Sequence, residues 1–163
     1  MAKREPAKTI QPLPVDAPAR RRLPILLRHA WYGLNQAFRR RITHLGITPD
    51  QFTVMRTLLE GGDDGLMQRD LIKKMASDPN TIASLVDRMQ RAGLLERETH
   101  EKDRRANLLR LLPVGRKKYL EARKIALSLQ AEILSALPED KREAFLEDLA
   151  QVAENCRTAA EKS

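Results

Sequence analysis

The residues of this chain that could do chemistry fall into two groups. The first is the set a catalyst or metal site would need. Its histidines are His29, His44 and His100. His29 and His44 are fifteen positions apart, not the i,i+4 spacing that turns two imidazoles to one metal. Glu96, Glu98 and His100 alternate, so on a strand they would share a face as a conceivable metal triad. The same alternation is the ordinary outer face of a half-solvated strand, which is the preferred reading. No phosphate-cradling glycine loop and no Ser/His/Asp set can be assembled. The expectation is no enzyme, no catalytic residue, no metal and no cofactor. The second group is Asn80, Thr81 and Ser84 with Arg88 and Arg91. Asn can bond adenine through two hydrogen bonds and Thr or Ser can serve either base, while arginines further along meet phosphates and set register.

These side chains need a helix to present them. From Pro79 onward, Ile82, Leu85, Val86, Met89 and Gly93 fall on one side at helical spacing. Asn80, Ser84, Asp87 and Arg91 fall on the other, with Thr81 and Arg88 at the margin. Ser77 or Asp78 can cap this helix, and Pro79 suits its first turn. Leu94 to His100 then reads as a strand, EKDRRA (101–106) as a tight basic turn, and Asn107 to Leu112 as the partner strand. Arg104 and Arg105 at such a tip are suited to a narrow minor groove, where negative potential concentrates. Asp103 could brace one of them by orienting its guanidinium.

The remaining pattern is helical. Pro24 opens a stripe of Leu27, Ala30, Trp31, Leu34, Phe38, Ile42 and Leu45, ended by Gly46. Thr48, Pro49 and Gln51 form a capping box for a second helix with Phe52, Met55, Leu58 and Leu59 inside. A third spans Met67 to Met75, burying Leu71, Ile72 and Met75. After Pro113 come two long helices, one with Val114, Leu120, Leu129 and Ile133, the other with Phe145, Leu149, Val152 and Cys156. Cys156 on that stripe is expected to be a small buried hydrophobe. The long helices carry more apolar stripe than one thin subunit can cover, which argues for a homodimer.

Composition sets the class. The 163 residues carry a net charge of +8 and a pI near 10.0, pointing to a polyanionic partner, nucleic acid before a membrane surface. Residues 1–68 are net +5, 69–118 net +6 and 119–163 net −3, so the charge lies on the first two thirds. Aromatics at 4% leave no platform for stacking single-stranded bases. A single cysteine excludes an internal disulfide and fits a reducing compartment. No apolar run approaches a membrane span, and the segment after Arg20–Arg22 is too short and interrupted for a signal peptide. The expected location is the cytoplasm. Four prolines among charges make residues 1–23 a flexible arm.

The order of helices, the run TIASLVDRMQRAGLLER, the tip DRRA, the following LLRLLPVG and TPDQF at 48–52 resemble the MarR family of winged-helix transcription regulators. The resemblance covers roughly residues 24–160 and is most specific over 78–115. It implies a mainly α fold with a small two- or three-stranded β wing. Residues 48–112 would form a winged helix-turn-helix lobe, and 24–46 and 113–160 a helical dimerisation region, within a single domain 24–163. It further implies a homodimer joined through its first and last helices, with Arg105 in the minor groove. The dimer would commonly act as a repressor, released when a small aromatic acid or phenol lodges between dimer helices and recognition helix. Trp31, Tyr32, Phe52 and Arg56 could line that cleft, although Trp31 on its stripe is better read as core or interface packing. Two departures from the family stand out: Leu112, not Thr, precedes Pro113, and Met67 stands where a capping Ser or Thr is usual. Each costs a helix end a side-chain cap of roughly 1 kcal/mol.

The expected partner is double-stranded DNA carrying a near-palindromic operator, read by two recognition helices about 34–36 Å apart. The rivals are a winged-helix module without sequence preference or with protein partners, an effector or metal binder without operator recognition, and a membrane-surface protein using Arg20–Arg22.

Overall fold

The computed structural model describes residues 23–62, 64–100 and 103–162, and their side chains apart from 99, 100 and 103–106. Six α-helices and three strands follow one another: α1 (Leu23–Ile42), α2 (Pro49–Glu60), β1 (Leu66–Met67), α3 (Gln68–Met75), α4 (Pro79–Arg91), β2 (Leu95–His100), β3 (Asp103–Leu111), α5 (Pro113–Leu134) and α6 (Glu139–Glu161). The chain forms two compact units, one ending at Ala37 and the other beginning at Phe38, so α1 is shared between them. Within the first unit, the described residues are the opening turns of α1, on which Leu23, Ile25, Leu26, Trp31, Tyr32 and Leu34 are exposed.

The second unit holds the core. Its helix boundaries follow from local chemistry. At α2 the Thr48 hydroxyl accepts from the Gln51 N–H at 3.3 Å and the Gln51 side chain accepts from the Thr48 N–H at 2.9 Å, the reciprocal box its sequence announces. The α1 stripe stops being α-helical at Ile42; Thr43–Leu45 tighten into a 3-10 turn closed by Gly46 at φ 65°. That tightening is a common way to satisfy a helix's last carbonyls. Met67 and Leu112 stand at the N-caps of α3 and α5 with no side-chain cap, as their apolar side chains require.

β1, β3 and β2 make an antiparallel sheet in that order, with Leu66 opposite Leu109 and Arg97 also opposite Leu109 from the other side. The two-residue β1 supplies a third strand. The turn between β2 and β3 is shorter than EKDRRA: Asp103 to Ala106 continue β3, and His100 pairs with Asp103 after an irregularity at Thr99/His100. Ladder hydrogen bonding carries the pairing outward as far as His100 and Asp103, beyond the point at which the charged composition suggests a turn.

Ile42, Val54, Met55, Leu71, Ile82, Val86, Met89, Leu94, Leu95 and Leu109 are fully buried and join α2, α3, α4 and the sheet. α5 is fixed to this core by a close approach. A Cβ on Gly115 would lie 2.1 Å from the Leu94 carbonyl oxygen and 2.8 Å from Leu111 Cδ1, and the Leu112 N–H donates to that same carbonyl at 3.0 Å. One turn on, Lys118 Nζ donates to the Leu45 carbonyl at 2.6 Å. Arg41 holds Glu132 through two hydrogen bonds of 2.8 and 2.9 Å.

α6 has no buried residue. Cys156 is exposed, which overturns its expected burial: periodicity revealed a stripe, but nothing within the described chain covers it. Trp31 is 64% exposed, so core packing is corrected too. The described part of its unit is a single length of helix, with no second element of its own to bury an indole against.

Candidate nucleic-acid interface

α4 is built as its sequence demands. Asp78 accepts the Thr81 N–H at 2.9 Å as N-cap, and Pro79 occupies the first turn. The Thr81 side chain and backbone N–H, followed by other local amides, hold the Asp78 carboxyl below the usual carboxylate range. Gly93 at φ 66° ends the helix, with the Leu94 N–H reaching back to the Met89 carbonyl at 3.0 Å; a left-handed residue there favours glycine. Ile82, Leu85, Val86 and Met89 are all buried. The opposite face, with Asn80, Thr81, Ser84, Asp87, Arg88 and Arg91, is exposed throughout.

The structure thus brings together the base-contacting and phosphate-contacting candidates on one continuous surface. Thr81 serves the cap through its backbone N–H, which donates to Asp78 Oδ1. Arg91 Nε donates to the Asp87 carbonyl at 3.3 Å, which lays its guanidinium along the helix. For Asp103, Arg104 and Arg105 the backbone runs in β3, while their side chains, and the bracing role of Asp103, lie outside the described residues.

Two features escaped the sequence reading. On α3, Arg69, Lys73 and Lys74 are exposed, a basic surface on the helix that precedes the recognition helix. Their i,i+4 spacing from Arg69 to Lys73 was a usable signal. The second is an ion pair tying α4 to the wing: Arg97 Nη2 lies 2.5 Å from Asp87 Oδ1. On the wing's other face Arg110 pairs with Glu98 at 3.0 Å and donates to the Asp64 carbonyl at 3.3 Å. Glu98 is thereby paired with an arginine; the His100 side chain, the third member of the conceivable metal triad, lies outside the described residues.

The four effector candidates have different surroundings. Trp31 and Tyr32, in the first unit, are exposed. In the second, Phe52 is buried between Phe38 (4.9 Å, edge-on) and Tyr119 (5.3 Å, stacked). Arg56 is exposed, 3.6 Å from Glu60.

The MarR family model matches residues 45–106, the span from the end of α1 into the wing. The transcriptional regulator HosA of Escherichia coli is 31% identical over 101 residues, covering 62% of this chain and 73% of HosA. The chain belongs to the MarR family of winged-helix transcription regulators. An uncharacterised HTH-type regulator, YsmB of Bacillus subtilis, is 37% identical over 89 residues, 55% of this chain; the match spans only 60% of YsmB. Both relatives are named as transcriptional regulators. Among solved structures, the S. aureus MepR–DNA complex is similar with a TM-score of 0.75 at 22% identity, covering 81% of this chain and 96% of that one. At that identity the likeness establishes the winged-helix fold. No described helix of this MarR-family chain is long and apolar enough to cross a membrane.

Proposed function

We propose that the chain is a homodimeric, sequence-specific DNA-binding transcription regulator, a repressor released from a near-palindromic operator by a small aromatic or phenolic ligand. The observation that carries the DNA reading is the outer face of α4. Its short polar residues are exposed and are flanked by Arg88 and Arg91. Short side chains let a helix approach base edges closely, and arginines anchor it to phosphates. MepR, of the same fold, is described in complex with DNA.

Dimerisation is supported within the second unit by Val114, Leu120, Leu127, Ile133, Phe145 and Leu149, all exposed in the single chain. Apolar surface on this scale marks a protein interface. The ligand reading rests on Trp31 and Tyr32 as exposed aromatics of the first unit and, in the second, on Arg56 as a cation for a carboxylate and on the packed ring of Phe52.

The deciding experiment selects binding sites from randomised duplex DNA, then titrates the selected duplex and a scrambled one. A preference of at least a hundredfold, lost when Asn80, Thr81 and Ser84 are replaced by Ala, supports the reading. Equal affinity for both duplexes at near-cellular salt rejects it in favour of a module without sequence preference. Addition of aromatic acids to the bound complex then tests release.

A further inference from the structure

Asp87 is the anomaly on the outer face of α4. Between a surface of neutral polar residues and two arginines it places a carboxylate, 53% exposed, where a phosphate backbone would repel it. Its partner is equally out of place. Side chains alternate along a strand, so Leu95 and Arg97 share the inward face of β2, and the residues they oppose, Leu111 and Leu109, lie on β3. Leu95 and Leu109 are fully buried. An arginine thus stands where the pattern asks for an apolar residue. Its side chain is only 26% exposed, and its Nε is buried with no hydrogen-bond partner. A half-buried guanidinium with an unsatisfied, buried Nε is destabilising relative to a well-packed apolar side chain. A pair this exposed on its acidic side recovers little of that. Stability does not explain why the two are there.

Geometry does. The guanidinium is a planar fork whose direction is set by what its nitrogens bond, and here Nη2 is turned to Asp87. Arg97 sits mid-strand in β2, and β2 is hydrogen-bonded to β3 along its length. Whatever fixes Arg97 against α4 fixes the strand that leads to Arg104 and Arg105. We propose that Asp87 and Arg97 form a positioning clasp that holds the wing at one angle to α4, so that base contacts and wing contacts fit only one DNA geometry at a time. The clasp acts on sequence discrimination, not on overall grip. It rests on the DNA-binding reading above.

The test uses the full chain, a duplex selected by the wild type from a random pool, and a scrambled duplex of equal composition, titrated by fluorescence anisotropy over a salt series. The wild type prefers the selected duplex. Asp87→Asn lowers that preference on the order of tenfold, the effect of one closely coupled pair. It does so by weakening the selected complex, while binding to the scrambled duplex holds or tightens because an acid has left the surface. Arg97→Met does the same without changing the salt slope on scrambled DNA. The double variant is no worse than either single one, and Asp87→Glu keeps the preference. Thermal melts confirm folding; should Arg97→Met not fold, Asp87→Asn, an exposed substitution, decides. An unchanged preference in Asp87→Asn overturns the clasp. So does an Arg97→Met variant whose affinities for both duplexes fall equally with the slope lower by about one, which would make Arg97 a phosphate contact. A wild type without preference fails the DNA reading itself, and is recognised before any variant is made.

Discussion

At the scale of single residues, the proposed interface divides into side chains assigned to discriminate and side chains assigned to anchor. Asn80, Thr81 and Ser84 are all exposed on one face, Thr81 lending its backbone N–H to the cap. Asn80→Ala is therefore expected to cost about 1–3 kcal/mol of selected-site affinity and relax the preference at one base pair, as a titration against single-base variants of the site would register. Arg88→Ala should weaken all duplexes alike and lower the salt slope by about one; a base-specific loss would reassign it. Arg105→Ala is expected to cost about 1–3 kcal/mol on the selected duplex with the oligomeric state unchanged, checked by titration and sedimentation together. Much of this face was legible, because helical periodicity separates Ile82, Leu85, Val86 and Met89 from Asn80 and Ser84 without ambiguity. Arg97 was not read. The alternation of Glu96, Glu98 and His100 advertises the outer face of the strand, and nothing in the local pattern marks the arginine between them on the inner face. Only the position of Asp87 in space, one helix away, gives it a meaning.

At the scale of elements, the ends of helices carry the testable chemistry. Gly115→Ala forces a methyl group against the Leu94 carbonyl. It should destabilise the fold by about 1–3 kcal/mol, the range for overpacking a close contact, measurable as a lower denaturant midpoint. Met67→Ser would give α3 the cap it lacks and raise stability by roughly 1 kcal/mol; no change in the melt would mean that its backbone donors are already satisfied. For Asp78 the folded carboxyl titrates below the unfolded one. Its stabilising share is thus present above the ordinary carboxylate range and is lost as pH falls through the lowered value. Asp78→Asn should flatten that part of an acid-unfolding curve. The start of α2 was fully legible, because Thr48, Pro49 and Gln51 form a local code. The β2–β3 connection was not, since how far two strands pair depends on a ladder that no local residue pattern specifies. The same holds for the end of α1, where a 3-10 turn satisfies carbonyls that periodicity alone would have left in an α-helix.

At the scale of the whole molecule, the stripes of α5 and α6 were legible as apolar and illegible as to what covers them. Cys156 was assigned to a buried surface for that reason, and a single chain leaves it in solvent. If a second copy supplies the cover, Leu127→Glu with Phe145→Glu should convert the protein to monomers by sedimentation and abolish selected-site binding. A dimeric variant would place the interface elsewhere. The basic charge of the first two thirds of the chain predicts that affinity falls on the order of a thousandfold between 50 and 200 mM salt, as for proteins neutralising several phosphates. The opening turn of α5 bears on how such an assembly could be switched. The Leu94 carbonyl, at the root of the wing, is held against Leu112 and Gly115, and Lys118 grips the Leu45 carbonyl one turn later. There is no slack at this joint. Torque applied along the long helix would be delivered to the base of the hairpin as by a crank.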